Sequence, residues 1–338
     1  MSKSRAARVL PQQVLANIER VLEPNKYRRA KGPGICSVRT AQIRRTEVRL
    51  AFATLWELGY QIRKPENLAQ KHIEALVSHW DGEDASASII HQRLSILRTF
   101  CAWCGRRDVV LDTDTYLPAE RIVRTTIVTA SKAWNAAGVD ADILVLEAES
   151  IDVRLGAMLA MQHYFGLRVK ESIELRPSHS LVDGGFAIEI YQGTKGGRLR
   201  RVAIATEQQR VVFDRVREVA AEHGSGRLRW PGTTWRQAQS RYYRLVRKLG
   251  VSRGELGITS HGLRHGFAQR MYRAVSGHAT PVEGGALGRI SRGEHLAASL
   301  ETSRALGHGR AQVGGTYYGS YGHALRGTDG QGERNGSV

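Results

Sequence analysis

Between Val48 and Cys104 apolar side chains recur every three or four positions, in runs that each meet a glycine. That period lays the apolar residues along one side of an α-helix, and such stripes leave water only by facing one another. The first stripe is Val48, Ala51, Phe52, Leu55 and Leu58, stopped by Gly59. The second is Ile73, Leu76, Val77 and Trp80, followed by Gly82, with Pro65 expected at the first turn of its helix. The third is Ile90, Leu94, Leu97, Cys101 and Cys104, with Ser86 or Ser88 as its cap and Gly105 as its end. No strand pattern interrupts them, so residues 10–110 read as an all-helical domain.

The rest of the chain divides around this core. Residues 1–34 carry Arg5, Arg8, Lys26, Arg28, Arg29 and Lys31 among three prolines, and read as a basic, partly flexible arm with a short helix near Gln12–Leu22. The helical domain then occupies 35–111, and residues 112–140, which lack periodicity, read as a linker. A second domain is expected over 141–322. It opens with an amphipathic helix through Ile151, Leu155, Met158, Leu159 and Phe165 that ends at Gly166. Phe186, Ile188 and Ile190 alternate with Ala187, Glu189 and Tyr191, and Leu199, Val202 and Ile204 follow the turn GTKGG, so a β-hairpin is expected. Helices are expected near 206–222, 233–249, 260–275 and 293–306, with a Gly-rich polar stretch over 276–292 and a disordered tail over 323–338. The fold class is mainly α with a small antiparallel β-sheet, in two domains.

Fifty Lys and Arg oppose 32 Asp and Glu, a formal charge of +18. Such an excess favours a polyanionic partner, nucleic acid before an anionic membrane surface. No apolar run of about 18 residues is present, so no membrane span is expected, and the first residues lack the apolar segment of a secretory signal. Cys36, Cys101 and Cys104 are too few and odd for a disulfide framework and suit a reducing cytoplasm. Cys101 and Cys104 form a lone CxxC without a second ligand pair, and read as core.

Five strings carry chemistry when taken together: Gly166-Leu167-Arg168 with Glu171, Lys195 in the hairpin turn, His261 three residues before Arg264, Leu306-Gly307-His308, and Tyr317 nine residues after that His. Attack on a phosphodiester spreads negative charge over the non-bridging oxygens, which Arg168 and Arg264 can clamp with charge-assisted hydrogen bonds. The nucleophile must shed a proton, and a free tyrosine holds its own with a pKa of about 10, so a neighbouring imidazole and arginines must assist. His261 suits the base, Lys195 can protonate the leaving oxygen, and His308 can hydrogen-bond the phosphoryl group or share the proton. A tyrosyl–phosphate link conserves the bond energy, so rejoining needs no ATP. Neither a metal-ligand pattern nor a phosphate loop of the Walker type is found, and a reaction without cofactors is expected.

This ordered set resembles that of the tyrosine recombinases, the phage-type integrases, in which GLR-x-x-E, LRH and LGH followed by a Tyr are signature strings. The resemblance covers about 141–322; residues 35–111 resemble the family's helical core-binding (SAM-like) domain in pattern. It implies a two-domain DNA clamp, a 3′-phosphotyrosine intermediate and a homo-tetrameric synapse passing through a Holliday junction. It assigns Arg168, Lys195, His261, Arg264 and His308 to the catalytic set and Tyr317 to the nucleophile, with Glu171 and His265 in support. Expected partners are double-stranded DNA and accessory DNA-bending or directionality proteins, in the cytoplasm and on the nucleoid when bound. One departure is the 44-residue span from Arg264 to His308, longer than in compact members; its extra stretch, about 276–298, resembles one in integrases of genomic islands and other mobile elements. Arg44, Arg45, Arg198, Arg200, Arg201, Arg241 and Arg244 are candidate DNA contacts. The expected activity is site-specific recombination: integration, excision or cointegrate resolution. A type IB topoisomerase-like relaxing enzyme shares the chemistry, and a non-catalytic DNA-binding protein would have no need of every position being filled.

Overall fold

Two short helices, α1 (Arg5–Val9) and α2 (Gln12–Leu22), open the chain. They belong to a computed structural model that describes residues 5–124, 126–194, 197–222, 225–285, 289–308 and 311–321. Contacts divide the chain into two units, Met1–Thr125 and Thr126–Val338.

In the first unit Ser37 accepts a hydrogen bond from the Thr40 amide at 3.1 Å and starts α3 (Val38–Glu57). It is followed by α4 (Gln70–Gly82), α5 (Ala87–Trp103) and α6 (Ala119–Ile122). The expected stripes meet in one core around Phe52, Leu55, Ile73, Leu76, Ile90, Leu94 and Phe100, where the Phe52 and Phe100 rings stand edge to face at 6.1 Å. Three expectations change. Ala6, Leu10, Val14, Ile18 and Leu22 are buried in this same core, so the first residues are not a separate arm; their four-residue period was hidden by the surrounding arginines. Pro65 opens its own 3₁₀ turn, Pro65–Asn67, and α4 starts later. Leu117, from the expected linker, is also buried here, and the Arg121 Nε donates to Asp81 at 2.7 Å. Cys101 is buried, which raises its thiol to about 12.

The second unit begins with the other half of the expected linker, where Trp134 is buried in the core. The single helix expected next is two, α7 (Ala141–Ile151) and α8 (Val153–Phe165). Asp152 breaks them: its backbone is extended, and its carboxylate accepts from the Arg154 and Leu155 amides at 3.1 Å. Ile151 thereby ends α7, half exposed. α8 is buried nearly all round and packs against α7 and later helices of the same unit. It ends at Gly166, whose φ of +62° and 2.4 Å approach of a would-be Cβ to Phe267 leave room for no other residue.

Next come α9 (Val169–Glu174), α10 (Pro177–Ser180) and an antiparallel sheet in the order β1 (Leu181–Val182), β2 (Ala187–Ile190) and β3 (Arg200–Ala203). Ile188 pairs with Leu181 on one side and Val202 on the other. The two-residue β1 is too short to announce itself by alternation. Phe186, expected in the strand, lies before it and is 68% exposed, beneath the Arg210 guanidinium. The remaining helices are α11 (Glu207–Ala221), α12 (Trp235–Lys248), α13 (His261–Ser276), α14 (Arg292–Ala305) and α15 (Gly315–Tyr318). Thr206 with Gln209, Thr234 with Gln237 and Ser291 with Glu294 form the capping boxes that start α11, α12 and α14. The expected tail, 323–338, lies outside the described residues.

Candidate active site

Four chain ends converge in the second unit. The turn after α8 delivers Arg168, α13 starts at His261 and carries Arg264 one turn later, the end of α14 leads to His308, and α15 presents Tyr317.

Glu171 on α9 is the anionic hub. Its Oε1 accepts from Arg168 Nη1 at 2.6 Å. Its Oε2 accepts from the Arg168 backbone amide at 2.8 Å and from Arg200 Nη2 at 2.7 Å, with Arg264 Nη1 3.9 Å away. Burial pushes this carboxyl up, but the charges of Arg200, Arg168 and Arg264 outweigh it and hold it at about 2. One carboxylate therefore faces three guanidiniums, and the site keeps an unmatched positive charge suited to an incoming anion.

Arg264 is fully buried. Its Nε donates to Tyr317 Oη at 3.2 Å, Nη1 to the Gly166 carbonyl and Nη2 to the Leu306 carbonyl. Burial, with Arg200 nearby, lowers its pKa to about 10, so it remains a cation at neutral pH. Arg168 Nη2 reaches the same Leu306 carbonyl at 3.5 Å, which places both guanidiniums on one patch of backbone.

Three imidazoles surround Tyr317. His308 Nε2 lies 3.2 Å from Tyr317 Oη, and the His265 and His261 rings lie 4.9 and 5.9 Å from the phenol ring. Burial, then His261, lowers His265 to about 4. His261 keeps a face open to solvent, yet the packed protein around it and the charges of Arg264, Arg168 and Lys132 lower it also to about 4. Both rings are thus neutral near pH 7. The Tyr317 carbonyl accepts from Gln269 Nε2 at 3.1 Å and from the His265 ring. Gln269 was missed in the sequence, although it stands one turn after His265 on the same face of α13.

Tyr317 and Tyr318 face different ways, because successive residues of a helix point about 100° apart. Tyr318 is buried against the Tyr272 ring at 5.1 Å, beside the hydroxyls of Ser299 and Ser303. A Cβ on Gly314 would sit 1.8 Å from its hydroxyl, so that glycine is needed for the pocket.

Lys195, expected in the catalytic set, lies outside the described residues. Among the candidate DNA contacts, two are corrected. Arg200 is buried, bound to Glu171, the Gly166 carbonyl and the Ala305 carbonyl, and passes under Gly307, where a Cβ would meet its Cδ at 2.7 Å. Arg44 is buried too, donating to the Arg28 carbonyl at 2.7 Å with its guanidinium over Trp103. Both face inward because their β3 and α3 positions are the core-facing ones. Arg45 pairs with Glu19, Arg201 with Glu189 and Asp183, and Arg241 with Asp152 over the Trp230 ring. Arg198 and Arg244 are exposed, with no carboxylate partner among the described residues.

Known proteins share this sequence pattern and fold. The family described as "Integrase" matches residues 125–270, and that described as "Phage integrase, N-terminal" matches residues 22–110. The Tn1549 transposon integrase (aa 82–397, Y379F), solved with transposon right end DNA, aligns at 11% identity and TM-score 0.56, covering 93% of this chain and 99% of that one. A lambda integrase (75–356) dimer bound to a COC′ core site aligns at 16% identity and TM-score 0.54, covering 96% and 98%. A lambda integrase tetramer bound to a Holliday junction aligns at 16% identity and TM-score 0.54, covering 88% and 76%. No curated protein sequence matches the chain. Among the described residues no helix is long and apolar enough to cross a membrane.

Proposed function

The chain belongs to the phage integrase family of tyrosine recombinases, site-specific DNA recombinases, and from that premise we propose that Tyr317 attacks a DNA backbone phosphate in cis. The observation that carries this reading is the convergence of Arg264 Nε and His308 Nε2 on Tyr317 Oη, each at 3.2 Å, within one chain. A guanidinium at that distance can hydrogen-bond the oxygen as it attacks, and an imidazole there can take its proton. His261, neutral and open to solvent, is the second imidazole on the side where a phosphate would enter.

Arg168 and Arg264, oriented by Glu171 and by shared carbonyls, clamp the non-bridging oxygens as charge builds. The Tyr317 Oη–phosphorus bond forms, the bond to the 5′ oxygen breaks, and that oxygen leaves protonated. The proton donor is assigned to Lys195 by its place in the motif order alone. Attack by a 5′ hydroxyl of another strand on the phosphotyrosine reverses these steps and rejoins the DNA.

Double-stranded DNA is the substrate. The DNA-bound integrases of similar fold support this, as does the charge of +18, and binding should weaken steeply with salt as phosphate contacts release counterions. A homo-tetramer on paired sites, accessory DNA-bending or directionality proteins, and residence on the nucleoid in the cytoplasm complete the reading; the lambda integrase tetramer supports the first of these.

A nicked suicide duplex tests it. Tyr317→Phe should form no covalent adduct while binding duplex within about twofold of wild type, since one buried hydroxyl is lost and no phosphate contact. Tyr318→Phe should still form the adduct. Adducts from Tyr317→Phe but not from Tyr318→Phe would reject the assignment. Mixing Tyr317→Phe with Arg264→Ala should not restore adducts; restoration would mean that the tyrosine serves a neighbouring protomer.

A further inference from the structure

The longer span between Arg264 and His308, expected to be a polar surface stretch, is folded against the helix that carries Tyr317. Thr280 is fully buried, and its hydroxyl donates to Glu283 at 2.7 Å, which in turn binds Arg273 at 2.9 Å. Val282 and Pro281 press on Gly319, where a Cβ would come within 2.8 and 3.3 Å of them at a φ of +81°. Tyr321 Oη donates to the Ala279 carbonyl at 3.0 Å. From the other end of the span, His295 on α14 brings its Nδ1 to 2.7 Å from Tyr272 Oη and its ring to 5.2 Å from that of Tyr321. Tyr272 then packs on Tyr318, the neighbour of Tyr317.

α15 has four residues, far too few to hold a helix by its own hydrogen bonds, so its place is set by what it packs on. A hydroxyl nucleophile needs tight placement, because a displacement of about 1 Å can cost on the order of a hundredfold in rate.

We infer that residues 279–285 and His295 form a brace for the nucleophile, with His295 a positioning residue that acts through Tyr272 and Tyr318 on Tyr317. The inference rests on the assignment of Tyr317 as nucleophile. It gives the stretch of about 276–298 a task in the chemistry: α13 carries both Arg264 and Tyr272, so fixing Tyr318 on Tyr272 fixes the phenol of Tyr317 relative to the guanidinium it must meet.

The test uses the full chain at saturating enzyme on the nicked suicide duplex, reading the single-turnover rate of adduct formation, the duplex Kd and the melting temperature. His295→Ala and Tyr272→Phe should each slow adduct formation by about tenfold, the worth of one hydrogen bond, with Kd unchanged. His295→Asn, which sets a polar atom near the place of Nδ1, should recover most of the rate. The His295→Ala, Tyr272→Phe double variant should be no slower than the slower single variant, because both remove the His295–Tyr272 hydrogen bond. A wild-type rate in His295→Ala, a rate in His295→Asn as low as in His295→Ala, or additive losses would each overturn the brace. Adducts persisting in Tyr317→Phe are the separate result that removes the nucleophile assignment beneath it.

Discussion

In the first unit the core is apolar from Ile18 to Phe100, and most arginines stand at its rim: Arg20 on Glu66, Arg49 on Glu19, Arg93 on Glu47. In the second, Arg154, Glu171, Arg200 and Arg264 are themselves buried. Arg154 gives its Nη1 to the carbonyls of Arg227, Leu228 and Arg229, and Arg264 donates to two carbonyls and a phenol. Removing a guanidinium from water is costly, and well-packed apolar residues of the same volume are often as stable or more so. A unit that retains such a cluster, with three cations on one carboxylate, presents a positive site that can receive an anion. The first unit is held by ordinary packing; the second gives up part of that stability for a preorganised field.

Glu171 is where the two units differ most. An amide cannot neutralise the arginines, so Glu171→Gln should cost the second unit about 3–5 kcal/mol, the usual effect of breaking a buried pair, and should nearly abolish adduct formation. Hydrogen exchange in peptides from α9 and β3 should speed up while peptides from α3 and α5 stay unchanged. Near-normal cleavage by this variant would mean that the carboxylate is not the hub. Phe100→Ala should act on the other side of the comparison, destabilising the first unit by about 3–5 kcal/mol through lost contacts and a cavity. Its rate per bound, folded molecule on the suicide duplex should stay close to wild type; a large loss there would tie the helical core to the chemistry.

The smallest effect is graded with pH. His163 and His265 are held at about 4, chiefly by burial, against 6.5 when free. The unfolded chain therefore takes up their protons first, and the stability they lend above pH 6.5 is lost as pH falls toward 4. Glu171, held at about 2 against 4.5, adds a second loss over that lower range. Acid should thus expose the amides of α8, α9 and α13 before those of α3 and α5, as measured by hydrogen exchange in steps from pH 7 to 3. The reverse order would show that burial of charge does not separate the two units.

Much of this molecule is written in local pattern. Apolar residues every three or four positions marked α3, α4 and α5, since a helix needs only one consistent stripe to be recognised, and the helices expected near 206–222, 233–249, 260–275 and 293–306 are α11 to α14. Gly59, Gly105 and Gly166 marked ends because each adopts a positive φ. The order of Arg, His-x-x-Arg, His and Tyr located the strings that meet at the site. Other features depend on residues distant in sequence. Arg200 looked like its neighbour Arg201, but strand register turned it inward onto Glu171, 29 residues away. Tyr317 and Tyr318 differ by one position; the nine-residue spacing from His308 picked Tyr317, and the packing of Tyr318 on Tyr272 is what turns the other phenol away from Arg264. The stretch after α13 has no periodicity to read, and its bearing on α15 comes from His295 meeting Tyr272 across 23 residues. Periodicity determines which face of an element is apolar; which charge is buried, and which hydroxyl is aimed, is decided by the partner that face meets once the chain has folded.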